Sequence, residues 1–431
     1  MSFVSLFLVV IFMIFAAGGT SPPMAQAQSF TISTRLTNTS TSAFRHKLRQ
    51  KLLSQTTETR PLNLDPGTVF PALPSGMVYV SAHIGTPPLT INLALDTLFP
   101  FTWVQSVDCQ KCFNVSPPFS NFDPKKSTTF QLLPPTNTTI CSPPLAHLSA
   151  GAGSSCVYDA GYSRGIYGID EFHLLSPLSS SSSSSSSTNL IAFGCGIRSM
   201  VDFDGGWGYN PIGGMIGLGK GHPSSIVSQL GSDRFSYCLP GRSDSHSGQP
   251  TLNFGSDAFI DASATNVQTT PISGHEYYNY LNLTTITVNG DVVYIMPETS
   301  SRAKLVLLDT GEPTTWFVED AYYGLQDGLV RYFAEIYGWK EPKIVYPSVY
   351  DLCYDLPTNM SSIVFPKVAI QFLGGASLDL QDAFKIFPDE HQFCMVLKEG
   401  APNVVGVYQQ MGYRFLFDLA QSKLSFAPNM C

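Results

Sequence analysis

Residues 91–105 read INLALDTLFPFTWVQ, and residues 303–317 read AKLVLLDTGEPTTWF. Each is an apolar run that ends in Asp-Thr, crosses a turn and continues with Thr-Trp. An apolar run bounded by turn residues reads as a buried strand, so Asp96 and Asp309 each stand where a strand turns. Later in each half comes an apolar-apolar-Gly segment, GGMIGLGKG around Gly217 and NVVGVYQQ around Gly406. A pattern that recurs once predicts two similar β lobes, related by a pseudo-twofold axis, with a carboxylate pair in the cleft between them.

The surrounding sequence agrees with a mostly β class. From Met77 onward the chain is a series of short runs such as MVYVSAHIG, LIAFGCG, TLNFG and VAIQFLGG, most of them bounded by Gly or Pro. SSIVSQLG and VEDAYYGLQDGLVRYFAEIYG are the best helices, and nine consecutive serines at 179–187 read as a surface loop. The expected divisions are 1–27, 28–76, an N-terminal lobe at 77–270 and a C-terminal lobe at 271–431.

The first division is a candidate signal peptide. An apolar stretch of about 17 residues precedes small residues and Ala25-Gln26-Ala27, an A-x-A cleavage pattern. A membrane anchor is the rival reading, but the run is slightly short and lacks a basic flank. The chain is then secreted, to the extracellular space (apoplast) or to a vacuole, with no stable membrane anchor. Residues 28–75 hold six Lys or Arg against Glu58 and Asp65, a net +4, whereas the whole chain of 431 residues carries −8. This basic segment on an acidic body reads either as a removable, propeptide-like leader or as a solvated linker. The acidic body shows no basic stripe to meet nucleic-acid phosphates.

Secretion makes the nine cysteines candidate crosslinks, with at least one thiol left over because nine is odd. Cys109-Gln-Lys-Cys112 has no second C-x-x-C partner, and the eight histidines form no ligand-spaced cluster, so no metal is expected. Asn114, Asn137, Asn282 and Asn359 lie in N-x-S/T sequons and are glycosylation candidates.

Two carboxylates within about 3 Å cannot both ionise easily, so one keeps a proton. The charged member can take a proton from a water attacking a peptide carbonyl, and the neutral member can donate to the carbonyl oxygen. Asp96 and Asp309 are placed for that chemistry, which needs no cofactor.

Several phrases together resemble the pepsin-fold (family A1) aspartic proteases, in particular their plant nepenthesin-like branch. YVSAHIGTPP precedes the first Asp, TWVQ follows it, and IAFGCG, IGGMIGLGKG, SIVSQLG, RFSYCL and VLLDTG come in the family order. VVGVYQQMGYRFLFDLAQSKLSFAPNMC matches the closing segment, so the resemblance covers about residues 77–431. It implies a bilobal acid-protease fold, an Asp96–Asp309 catalytic dyad, and support from Thr97, Thr310 and Gly311. It further implies a zymogen and a monomer that binds an extended peptide. By position it pairs Cys112 with Cys195, Cys141 with Cys156, Cys238 with Cys431 and Cys353 with Cys394. Cys109 is left over because Ser106 stands where the family usually has another cysteine.

Residues 161–165, GYSRG, also fit the G-x-S-x-G nucleophile elbow, but the strand-like IYGIDEF follows where that motif needs a helix. YDAGYSRGIYGID aligns better with the family's flap hairpin, which makes Tyr158 the flap tyrosine. The first turn departs from the family pattern at Leu98 and Phe99, the second at Glu312. Both hydroxyls that usually support the carboxylates are therefore missing. The resemblance thus implies an aspartic endopeptidase acting at acidic pH. The alternative is a weakened or inactive relative that binds a partner, as do the plant xylanase inhibitors of this fold.

Overall fold

The computed structural model describes residues 67–428 except 73–75, 135, 138, 142–145, 149–154, 176–188, 202, 204–207, 221, 240–249, 275–277, 300–302, 340–341, 343–349 and 358–362. The expected signal peptide, almost all of the basic leader, the serine run, Asn359 and Cys431 lie outside the described residues.

The predicted mostly β class holds. Among the described residues, one sheet has 15 strands, a second has 9 and a third has 3. The repeat seen in sequence is a repeat of strand pairing. In the first half, Leu89–Asp96 pairs antiparallel with Met77–Ile84 and parallel with Ile212–Gly217, bringing Gly217 opposite Asp96. Ile212–Gly217 also pairs antiparallel with Trp103–Gln105. In the second half, Leu305–Leu308 pairs antiparallel with Asn279–Val288 and parallel with Asn403–Val405. Asn403–Val405 then meets Trp316–Phe317 through Trp316 and Val404.

Two glycines are needed where these strands cross the turns. A Cβ on Gly217 would sit 2.5 Å from the Phe101 carbonyl oxygen, and one on Gly406 would sit 2.5 Å from that of Thr314. No larger residue fits at either place. The matched threonines hold the same crossings: the Gly217 N–H donates to Thr102 Oγ1 (3.2 Å), the Gly406 N–H to Thr315 Oγ1 (3.0 Å).

The large sheet draws on both ends of the chain. Tyr413–Asp418 pairs with Arg234–Cys238, and Lys423–Pro428 joins Tyr413–Asp418 to Gln268–Pro271. Stacked rings of Phe235 and Phe417, 4.7 Å apart, pack across that join. The last two strands thus belong to the sheet of the first half, and residue 271 ends a strand of it. The long helix, Glu319–Tyr337, has acidic residues in its first turn and ends at Gly338 in the left-handed conformation. Gly324 and Gly328 let it lie against Tyr294 and Val293, where a Cβ at either position would collide.

Disulfides join Cys141 to Cys156 and Cys353 to Cys394. Cys238 is buried and disulfide-bonded. The expected Cys112–Cys195 pair is corrected: Cys112 bonds Cys109, and Cys195 is a buried free thiol. The two bonded residues share an exposed loop just after Trp103–Gln105, with their Cα atoms 5.9 Å apart. Cys195 instead lies within the core, close enough to Tyr158 and Asp170 to feel both, and burial pushes its thiol pKa up. Of the sequons, Asn114 is exposed. Asn137 is half-buried and accepts the Ile140 N–H at 3.1 Å. Asn282 lies on a strand and donates to Ser273 at 2.6 Å.

Candidate active site

Asp96 and Asp309 end equivalent strands, and the threonines after them lock the two turns together. Thr97 Oγ1 donates to the Leu308 carbonyl (2.6 Å) and accepts the Thr310 N–H (3.1 Å). Thr310 Oγ1 donates to the Leu95 carbonyl (2.9 Å) and accepts the Thr97 N–H (3.2 Å). Three buried polar groups of each turn, a hydroxyl, an N–H and a carbonyl, are thereby satisfied by the other turn, which holds the two carboxylates close together. Their proximity is visible at Gly311, whose Cβ position lies 3.1 Å from Asp309 Oδ1 and 3.5 Å from Asp96 Oδ2. A side chain there would crowd both acids.

The two carboxylates differ in their support. Asp96 Oδ1 accepts the N–H groups of Leu98 and Phe99, both at 2.8 Å, whereas Asp309 Oδ1 accepts the Gly311 N–H at 2.7 Å. Burial raises the Asp96 pKa to about 6, and the two N–H donors oppose that rise. Burial also pushes Asp309 well above its ordinary range, followed by repulsion from Asp96 and, more weakly, from Glu312. With two N–H donors against one, Asp96 is the better held as a carboxylate, and the two acids titrate as a pair.

The altered turn residues fit without backbone strain. Leu98 is not among the described non-glycine residues with positive φ, so this turn position does not demand glycine. Glu312 folds onto its own turn and accepts the Thr314 N–H at 3.0 Å. Phe99 is half-buried beside the dyad.

The flap assignment is corrected. Tyr158 is fully buried, with its hydroxyl 2.9 Å from Ser163 Oγ and its ring against Tyr167 and Phe101. Strand alternation explains this, because Tyr158 falls on the inward face of Cys156–Asp159. The chain then turns at Gly161, which has φ +80°, and brings Tyr162 near enough to Asp96 and Asp309 to feel both charges. Burial and the charges of Asp96 and Asp309 push the Tyr162 pKa well above its ordinary value. Its ring packs on Phe99 (5.5 Å between centroids) and near Trp103 (6.2 Å), and its hydroxyl reaches Met215 Sδ at 3.5 Å. The same hairpin excludes the nucleophile-elbow reading: Ser163 is buried and begins a strand, not a helix.

Sequence reasoning also missed a support on the second half. Gln410 Nε2 donates to the carbonyls of Asp309 (3.2 Å) and Val405 (2.7 Å), and its Oε1 accepts from the Tyr237 hydroxyl (2.7 Å). In the first half a backbone group does the equivalent work, the Leu218 N–H donating to the Asp96 carbonyl at 2.8 Å. The Gln-Gln pair after VVGVY was the only sign of this in the sequence.

Comparison with known proteins bears on this geometry. Residues 79–256 match the family described as xylanase inhibitor N-terminal, and residues 276–428 match xylanase inhibitor C-terminal. Aspartyl protease family protein 2 of Arabidopsis thaliana is 29% identical over 379 residues, covering 83% of this chain and 71% of that protein. Aspartic proteinase nepenthesin-2 of Nepenthes gracilis is 27% identical over 370 residues, covering 83% and 78%. In structure, soybean basic 7S globulin aligns with TM-score 0.59 at 17% identity, over 85% of this chain and 97% of that one. The crystal structure of edgp aligns with TM-score 0.62 at 17% identity, over 86% and 96%. At that identity both structures speak to the fold alone. With the two family models together covering most of the chain and nepenthesins among its relatives, this chain belongs to the nepenthesin-like branch of the pepsin-fold (family A1) aspartic proteases.

Proposed function

We propose that this chain is a secreted aspartic endopeptidase that hydrolyses peptide bonds at acidic pH through Asp96 and Asp309. The observation that carries the reading is the reciprocal Thr97–Thr310 lock, which sets two buried carboxylates of unequal support on either side of Gly311. Charged Asp96 takes a proton from a water as that water attacks the peptide carbonyl carbon. Protonated Asp309 donates its proton to the carbonyl oxygen, giving a neutral gem-diol. Asp96 then passes its proton to the amide nitrogen, the C–N bond breaks, and Asp309 recovers a proton from the diol. The dyad ends as it began, with no covalent intermediate.

In this reading the substrate lies extended between lobes 77–270 and 271–431, beneath Tyr162, and the basic leader is removed from a monomeric zymogen. The apoplast and the vacuole are the compartments that suit it.

A second reading, a pepsin-fold protein that binds a partner without cleaving it, is favoured by Phe99 and Glu312 standing where supporting hydroxyls are expected. The family models, described as xylanase inhibitor halves, point the same way.

The two separate in one experiment: the zymogen is exposed to pH 3 to 5 and assayed on a denatured protein, with and without pepstatin, beside Asp96→Ala. Pepstatin-sensitive cleavage lost in Asp96→Ala is the expected result. Equal cleavage in both proteins, or none in either, removes the endopeptidase reading.

A further inference from the structure

Three aromatic rings from distant segments meet beside Asp96. Phe99 is three residues beyond it and is tied to it, because the Phe99 N–H donates to Asp96 Oδ1 at 2.8 Å. Its ring packs edge-to-face on Tyr162, with centroids 5.5 Å apart at 69°, and on Tyr278, at 6.4 Å and 83°. Tyr162 arrives on the hairpin between Cys156–Asp159 and Ser163–Leu174, whereas Tyr278 precedes Asn279–Val288 of the second sheet. Tyr278 is braced in turn by Tyr280, 5.7 Å away at 74°. Phe99 is therefore the ring that links the hairpin tip to the other half of the molecule.

We infer that Phe99 is a specificity-determining residue: with Tyr162 and Tyr278 it narrows the approach to Asp96, so that the site takes peptides with a small side chain, Gly, Ala or Ser, next to the scissile bond on that side. The inference rests on the reading of the dyad as a peptide-binding site. Edge-to-face rings at these separations leave no room for a further side chain between them. A carbonyl reaching Asp96 past Phe99 brings its flanking side chain to this wall. A small side chain passes with the rings in contact. A large one must separate Phe99 from at least one tyrosine and forfeit that contact. Phe99 is also the member of the wall at which the sequence departs from the family it resembles, and a hydroxyl residue at this position would make neither ring contact. Burial raises the pKa of both tyrosines, and the charge of Asp96 adds to each rise, as it does for phenols close to the dyad.

The test uses the activated full-length protein and a peptide panel varied on each side of the scissile bond, Gly, Ala and Ser against Leu and Phe. The panel is also made with the scissile bond replaced by a non-hydrolysable reduced amide. The expected wild-type preference in kcat/KM for small residues on one side is about tenfold or more. Phe99→Ala reduces that ratio to within about threefold, and Phe99→Leu, which keeps apolar bulk, gives an intermediate value. A merely structural effect would lower all peptides together and leave the ratio unchanged. An unchanged ratio in Phe99→Ala, or a wild type that accepts all sizes equally, overturns the inference. If nothing is cleaved, size-selective binding of the reduced-amide peptides that relaxes in Phe99→Ala upholds it while the endopeptidase reading fails. Binding without size preference, or no binding at all, overturns it.

Discussion

Thr97 and Thr310, 213 residues apart, each accept the other's backbone N–H and donate to the carbonyl that precedes the other's aspartate. All four groups are buried, so each bond removed leaves an N–H or C=O with no water to replace the partner. Thr97→Ala and Thr310→Ala should each destabilise the protein by about 2–4 kcal/mol, two unsatisfied buried groups being at stake. Thr→Ser at either position keeps the hydroxyl and should restore most of the loss. Urea unfolding midpoints of the four variants check this. Alanine variants as stable as wild type would mean that the lock does not hold the turns.

Gln410 secures Asp309 from behind, and Tyr237 secures Gln410. Tyr237→Phe should cost about 1 kcal/mol of stability by removing one buried hydrogen bond. Gln410→Leu, which abandons two carbonyls, should cost more and should lower kcat with little change in KM, because Asp309 shifts and substrate binding does not. Steady-state kinetics on one peptide separates the two parameters; a pure rise in KM would contradict a positioning role.

Phe99→Ser combined with Leu98→Gly gives Asp96 a hydroxyl donor it now lacks. A donor to the charged form lowers a carboxyl pKa, so the Asp96 value of about 6 should fall. Because Asp96 must be ionised to act, the acidic limb of kcat/KM should move to lower pH by about one unit, with kcat raised about tenfold. A pH–rate profile for wild type and double variant reads both effects. An unmoved acidic limb would mean that the turn already supplies what Asp96 needs.

Stability should also depend on the dyad. Asp96 is raised from 3.8 to about 6 in the folded protein, so the folded state binds the proton more tightly than the unfolded chain does. The stabilisation tied to that proton is fully present below about pH 4 and disappears as pH rises to about 6. Across that window wild type should lose on the order of 3 kcal/mol relative to the double variant Asp96→Asn/Asp309→Asn, in which neither member of the pair titrates. Denaturation midpoints of the two proteins at pH 4 and pH 7 test this. Parallel behaviour would show that burial does not raise Asp96.

The parts of the fold that repeat were legible in the sequence, because a strand, an Asp-Thr turn and a Gly crossing leave the same residue types twice. Leu305–Leu308 and Leu89–Asp96 were visible as apolar runs, and Gly217 and Gly406 as the glycines their crossings need. Features that depend on side-chain direction were not legible. Tyr158 stands on the strand Cys156–Asp159 and Tyr162 in the three-residue connection to Ser163, and that turn decides which one lies near the dyad. The resemblance pairs Cys112 with Cys195, but Cys195 lies in a run of seven consecutive buried strand residues, whereas Cys112 is exposed on a loop beside Cys109. The Phe99 contacts were hidden for another reason: Tyr278 is far away in sequence and becomes a neighbour only when the second sheet forms. The Asp309–Gln410 contact crosses 101 residues and replaces a backbone bond of the first half, so no pattern at the Asp-Thr turns announces it.

The central claim is that two half-copies build one site, with Asp96 and Asp309 acting as a unit. Its most direct measurement compares kcat/KM of wild type, Asp96→Asn, Asp309→Asn and the double variant on one peptide at acidic pH. Each single variant should lose about a thousandfold or more, and the double variant should lose no more than the worse single one, because removing either member disables both. Retained activity in either single variant, or losses that multiply in the double, would contradict it.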